Sequence, residues 1–262
     1  MTPKTLMAWN PRWLKYLALA GVLFPLSAFG QATSNATNRA EQNRAPNLVQ
    51  AARLIVETTN AFRRDKGLPP AELNPKLSSA ALEFANFMAR EHKYSHHADG
   101  RAPADRAKIQ GYDFCLVSEN IAYQYASVGF STEELAQAFF RGWQESPGHR
   151  KNMLDPDVTE TGVGLARGKT GYFFAVQMFG RPKSKSITFE IANQSDATVE
   201  YMLDEEKFSL PPQHTRMHEQ CRPPKLTVQW PDGQKTTPLT PKNGDHYVVS
   251  RTPAGKLQIV PK

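Results

Sequence analysis

From Asn47 onward the apolar positions fall into helical rhythm. Leu48, Ala51, Ala52, Ile55, Thr58, Ala61 and Phe62 recur at intervals of three and four residues until Gly67 and the Pro69-Pro70 pair, which predicts an amphipathic helix with a firm stop. A second helix is predicted with Asn74 as cap, Pro75 in the first turn, and Leu77, Ala80, Ala81, Phe84, Ala85 and Met88 on one face, running to about His92. A short helix is expected at Pro103 to Gln110, stopped by Gly111. A longer one starts at Ser131, which stands in capping-box spacing to Glu134, and carries Leu135, Ala138, Phe139, Gly142 and Trp143 to Ser146-Pro147. The stretches GVGLARG and GYFFAVQMFGR then read as a β-hairpin. Helices on either side of a small antiparallel sheet is the simplest assembly.

Beyond Pro182 the period shortens to two. SITFEIAN, TVEYML, KLTVQW and HYVVSR are separated by Asn, Asp, Gly and Pro clusters, which predicts a small all-β module with the spacing of a sandwich or partial barrel. The fold class is therefore α+β. The expected organisation is a signal segment at 1–30, a polar leader at 31–45, a mixed helical and sheet domain at 46–183 and the β module at 184–262.

The first 30 residues carry Lys4, Arg12 and Lys15, the apolar run YLALAGVLFPLSAFG and no acidic residue. A bilayer-crossing helix needs about 20 apolar residues, and this run is shorter, breaks at Pro25 and ends in small residues, so it reads as a secretory signal cleaved after Gly30. An uncleaved anchor is the competing reading. With cleavage no stable membrane span is expected, and the destination is export, either secretion or a periplasm. The formal charge of +7 also shrinks, because 31–183 holds 19 basic against 16 acidic residues and 184–262 holds 10 against 9. No dense basic run remains, which sets nucleic acid aside as a partner. Cys115 and Cys221 would leave the reducing cytosol with the chain and either pair or stay as two buried thiols. Paired, they would close a loop for which chain entropy suggests roughly 4 to 5 kcal/mol.

Three polar islands carry candidate chemistry. In SPGHRKNML, with Ser146 as N-cap and Pro147 at the first helical position, His149 falls in the first turn of a short helix, where the dipole favours neutral imidazole. YSHHADG places His96 and His97 with Asp99 in a loop, and VSENIA sets Glu119 in an apolar segment, where a carboxylate needs a partner. Two imidazoles and one carboxylate form a donor set for zinc with an open position, although nothing in the spacing alone fixes His96, His149 and Glu119 on one face.

YSHHADGRAPADRAKIQGYDF, SENIAY, GWQESPGHRKNMLDPDVTETGVG and YFFAVQMFG, taken in this order, closely resemble the bacterial branch of the CAP superfamily, which groups cysteine-rich secretory proteins, antigen 5 and plant pathogenesis-related proteins. The resemblance spans residues 48 to 181. It implies an α-β-α sandwich with a central cleft that holds two histidines and two acidic residues and can bind zinc or another divalent ion. By motif the histidines are His96 and His149, with His97 as stand-in for the first, and the first acid is Glu119. The second acid is missing, because the helix before the GHR motif reads Phe-Phe-Arg-Gly-Trp, and Glu145 is expected either to substitute for it or to be a solvated glutamate at the helix end. Arg106 and Asp105 are expected either to orient the His96 loop or to form a surface pair, Asn120 to brace the cleft backbone, and Trp143 to be either core or cleft wall.

Three functions follow as expectations. The first is an exported module whose cleft takes a divalent metal and a lipid, glycan or protein ligand. The second is a metal-assisted hydrolase acting on a peptide, ester or cell-wall substrate, with Glu119 as general base; a Ser95, His149 and Glu119 variant lacks any nucleophile-positioning motif. The third is an envelope-interaction protein acting through the β module.

Overall fold

A computed structural model describes residues 45–234 and 236–262; the expected signal segment and nearly all of the leader lie outside the described residues. The chain runs α1 (Leu48–Asp65), β1 (Glu72–Leu73), α2 (Pro75–Glu91), α3 (Pro103–Ile109), β2 (Phe114–Gln124), α4 (Thr132–Glu145), α5 (Pro147–Met153), β3 (Glu160–Arg167) and β4 (Phe173–Pro182). The caps expected at Asn74 and Ser131 form, and Asn47 adds one to α1. Asn47 Oδ1 accepts from Gln50 N and Asn74 Oδ1 from Lys76 N and Leu77 N, while Ser131 and Glu134 close a reciprocal capping box.

The strands make one sheet in the order β1-β3-β4-β2. β2–β4 and β3–β4 are antiparallel, but the two-residue β1 joins β3 in parallel. Central β4 shows why its sequence is apolar at nearly every position. Phe173, Ala175 and Phe179 enter a core built with Ile55 of α1 and Leu135, Phe139 and Trp143 of α4, whereas Phe174, Val176 and Met178 enter a second core with Leu77, Phe84 and Met88 of α2. A strand covered on both faces loses the apolar–polar alternation. Helices thus lie on both faces, giving the α-β-α sandwich that the chain's pattern predicts.

On β3 the alternation is Val163 and Leu165 toward the α1/α4 core against Gly162 and Gly164 toward α2. A Cβ at Gly162 would overlap Ser78 N, and one at Gly164 would overlap the Leu82 backbone. The two glycines therefore let helix backbone rest directly on strand backbone, a close approach that only Gly permits. Arg63 of α1 is wholly buried. Its guanidinium donates to the carbonyls of Pro69, Met153, Asp155 and Val158 at 2.8–3.1 Å and so pins the loop leaving α5.

β5 (Ile187–Asn193), β6 (Val199–Leu203), β7 (Glu206–Leu210), β8 (Thr215–Gln220), β9 (Leu226–Gln229), β10 (His246–Arg251) and β11 (Leu257–Pro261) follow a short 3-10 turn at Lys183–Lys185. They form sheets β11-β10-β5-β8 and β7-β6-β9. β5 and β6 alternate buried and half-buried positions, and both sheets feed one core of Phe189, Ile191, Tyr201, Val228, Trp230 and Val249. Cys115 and Cys221 are paired, with Cα atoms 5.4 Å apart.

His218 of β8 lies inside this β core. Its Nε2 is 2.7 Å from the Tyr201 hydroxyl, and its ring stacks on Phe189. Burial, then the charge of nearby Arg216, pushes its pKa below the ordinary histidine value of 6.5. Between that lowered value and 6.5 the unfolded chain holds more protons than the folded one, so stability rises with pH across the window and falls on acidification. Urea unfolding between pH 4.5 and 7.5 should show a steeper loss at low pH in the wild type than in His218→Gln. Parallel curves would show that His218 is not responsible.

Candidate functional site

The site grows from three neighbouring pieces of chain. His92, in left-handed conformation at φ 52°, ends α2 and releases the loop that carries His96. β2 is the sheet-edge strand and carries Glu119 and Asn120. α5 begins at Pro147, so His149 sits in its first turn, although the Ser146 side chain makes no capping bond.

Glu119 is the hub. Its side chain is 1% exposed, its Oε1 lies 2.8 Å from His96 Nδ1, and its Oε2 accepts from Arg106 Nη2 at 2.8 Å. A carboxylate accepts, so Nδ1 of His96 is the donor, and in the neutral ring Nε2 carries the free lone pair. Arg106 is itself buried. It donates through Nη1 to Asp99 Oδ1 and the Arg101 carbonyl and through Nη2 also to the His96 carbonyl, and its guanidinium lies 3.6 Å from the Phe84 ring centroid. One guanidinium thus ties the His96 loop, the acid on β2 and the α2 core together. Asp105 takes no part: its Oδ2 accepts from Ala102 N and caps α3.

His149 approaches from the other side. Asn120 Nδ2 donates to the His149 carbonyl at 3.1 Å, and Asn152 Nδ2 donates to the Glu119 carbonyl and to Asn120 Oδ1. This amide chain fastens α5 to β2 beside the carboxylate. Burial, then the charge of His96, pushes the His149 pKa below 6.5, favouring the neutral ring. Its Nδ1 is buried and has no hydrogen-bond partner among the described residues.

Of the expected donors, His96 and Glu119 are in direct contact, and His149 lies near enough to His96 to feel it electrostatically. Among the described residues no group of three or more His, Cys, Asp or Glu side chains is placed to hold one ion. The candidate donors for a divalent ion would be these two imidazoles, one held at Nδ1 by a carboxylate and the other buried with no partner for its Nδ1 among the described residues. The remaining positions would fall to water or a bound ligand. His97 and Glu145 are exposed, and Ser95 Oγ accepts from His97 N within the turn. Trp143 is core, fully buried with Nε1 on the Ile121 carbonyl. The sequence reading missed Asn152 and a ladder of half-exposed rings beside the cleft: Tyr94 meets Tyr123 at 4.9 Å, Tyr123 meets Tyr172 at 5.8 Å, and Tyr172 meets Tyr125 at 4.9 Å. Tyrosines recurring between residues 94 and 172 were the available signal, yet only pairing across β2 and the β3–β4 turn brings these four together.

A three-layer domain with helices on both faces of one sheet and a carboxylate-backed imidazole at its edge defines a class of α-β-α sandwich proteins. Residues 56–179 match the sequence model of the CAP, cysteine-rich secretory protein family, and this segment is a CAP domain. The chain is 30% identical over 152 residues to the uncharacterized protein YkwD of Bacillus subtilis (strain 168), covering 57% of this chain and 54% of that one. It is 32% identical over 114 residues to the uncharacterized membrane protein YlbC of the same organism, covering 43% and 31%. The alignments thus span about half and about a third of these relatives. A solved extracellular protein containing an SCP domain from Bacillus anthracis str. Ames is similar at 28% identity and a TM-score of 0.43, over 50% of this chain and 40% of that one. Among the described residues no helix is long and apolar enough to cross a membrane.

Proposed function

We propose that this is an exported binding module whose cleft holds a divalent cation, zinc by donor type, between His96 and His149, and uses the ion's remaining positions to capture a ligand. The supporting observation is the contact of Glu119 Oε1 with His96 Nδ1 at 2.8 Å, which presents Nε2 outward in the arrangement common to metal-binding histidines. The tyrosine ladder offers the ligand an aromatic wall suited to apolar or C–H faces. Export rests on the N-terminal segment and on the disulfide, which belongs to an oxidising compartment.

The same geometry speaks against the hydrolytic reading. A general base must reach the proton it takes, and both oxygens of Glu119 are engaged while its side chain is 1% exposed. The ion would supply polarisation and an anchoring charge; the chain's own residues bind and orient.

Zinc titration of the mature protein by calorimetry tests the reading. One ion per chain is expected, with affinity reduced at least about tenfold in both His96→Ala and His149→Ala and the circular dichroism spectrum retained. Unchanged stoichiometry and affinity in both variants would place the ion elsewhere and remove the proposal.

A further inference from the structure

Two adjacent residues of the β module reach into the domain that carries the cleft. Both lie in the β8–β9 connection. Cys221 is bonded to Cys115, which sits at the irregularity between Phe114 and Leu116 where β2 leaves register with β4. Cys115 is four residues before Glu119 on the same strand. Arg222 grips Asp155 with both arms, Nη1 to Oδ1 at 2.9 Å and Nη2 to Oδ2 at 2.7 Å, and its Nη1 also donates to Asp157 Oδ2 at 2.5 Å. The two aspartates are largely buried, at 15% and 16% side-chain exposure. Hydrogen bonds to them, Asp155 first, raise the Arg222 pKa. Burial of Asp155 works the other way, but its bonds from Arg222 hold that carboxyl below its ordinary value.

Asp155 and Asp157 belong to the loop that leaves α5, two residues past Met153. Arg63 holds that loop from inside through backbone carbonyls, and Arg222 holds it from outside through carboxylates. One prong of the β module therefore fixes the strand that bears Glu119 and Asn120. The other fixes the exit of the helix that bears His149 and Asn152. These two elements carry the two sides of the candidate site, Glu119 on β2 and His149 on α5.

We propose that the Cys221-Arg222 pair positions the cleft: the β module sets the separation of β2 and α5, making Arg222 a positioning residue for His149. The idea deepens the reading of this cleft as the binding site, but its geometry is tested without any metal. A bidentate Arg–carboxylate contact fixes direction as well as distance, which a lysine's point charge does not. The disulfide makes the same positioning sensitive to reductant.

The experiment uses the full mature chain with chelator present, comparing wild type, Arg222→Ala, Arg222→Lys and the Cys115→Ser/Cys221→Ser double variant. Hydrogen exchange is followed by mass spectrometry, and the imidazole 1H–15N signals of His96 and His149 by NMR. In Arg222→Ala, amides of 147–154 should exchange roughly three- to tenfold faster and the His149 ring signals should move, while the centres of β3 and β4 keep their protection. Arg222→Lys should fall between, and the cysteine variant should add faster exchange at 114–120. If changes in the Arg222 variants stay within 187–262 and both rings keep their wild-type signals, the proposal is overturned, whether or not the cysteine variant folds. Failure of zinc to bind the wild type would sink the metal reading alone.

Discussion

Glu119→Ala is expected to cost about 3–5 kcal/mol of stability, because it strips a buried guanidinium of its partner. Arg106 has a side chain only 5% exposed and packs on Phe84, so it cannot turn to water once Glu119 Oε2 is gone. Asp99 still neutralises one arm, which places the loss within that range and not above it. The substitution also frees the His96 ring, since nothing else is bonded to its Nδ1. Zinc affinity should then drop about 10- to 100-fold, the usual effect of removing a carboxylate behind a metal-binding histidine. Urea unfolding measures the first effect and calorimetry the second. A variant within about 1 kcal/mol of wild type would mean that this pair is not the hub described here.

Arg63→Met should be comparably damaging for a different reason. The side chain is fully buried and answers four main-chain carbonyls from two separate loops. Methionine fills the volume but takes the guanidinium donors from the Pro69, Met153 and Val158 carbonyls, the Asp155 carbonyl keeping Val158 N, at about 1–3 kcal/mol for each acceptor left unpaired that water cannot reach, so a total loss above roughly 3 kcal/mol is expected. Arg63→Lys should fare little better, because an ammonium cannot span acceptors that a planar fork meets from three nitrogens. Chemical denaturation of the three proteins decides the matter. A lysine variant as stable as wild type would show that charge alone, and not the fork, satisfies the loop.

The helices of the first domain were legible because their apolar faces follow the helical period and their ends carry Asn74, Pro75 and the Ser131–Glu134 box. The β module announced itself by the shift to a period of two after Pro182. β2 was harder to read as an 11-residue strand, since Ser118, Glu119 and Asn120 interrupt its apolar run for the sake of the site. β1 was invisible at two residues, and its parallel pairing to β3 arises from where the chain crosses after α1. Gly162 and Gly164 were readable only as hairpin glycines, because the helix backbone pressed against them comes from residues 77 to 82.

His96, Glu119 and His149 could be named from residue type and motif, because imidazole and carboxylate chemistry is written in the side chain itself. Their division of labour could not. That Glu119 stands behind His96 and faces Arg106, that Asn152 ties α5 to β2, that Cys115 pairs with Cys221 and that Arg222 lands on Asp155 and Asp157 were decided by the tertiary structure. Each depends on direction and distance between segments remote in the chain, and local pattern encodes which groups a segment carries but not what those groups will meet.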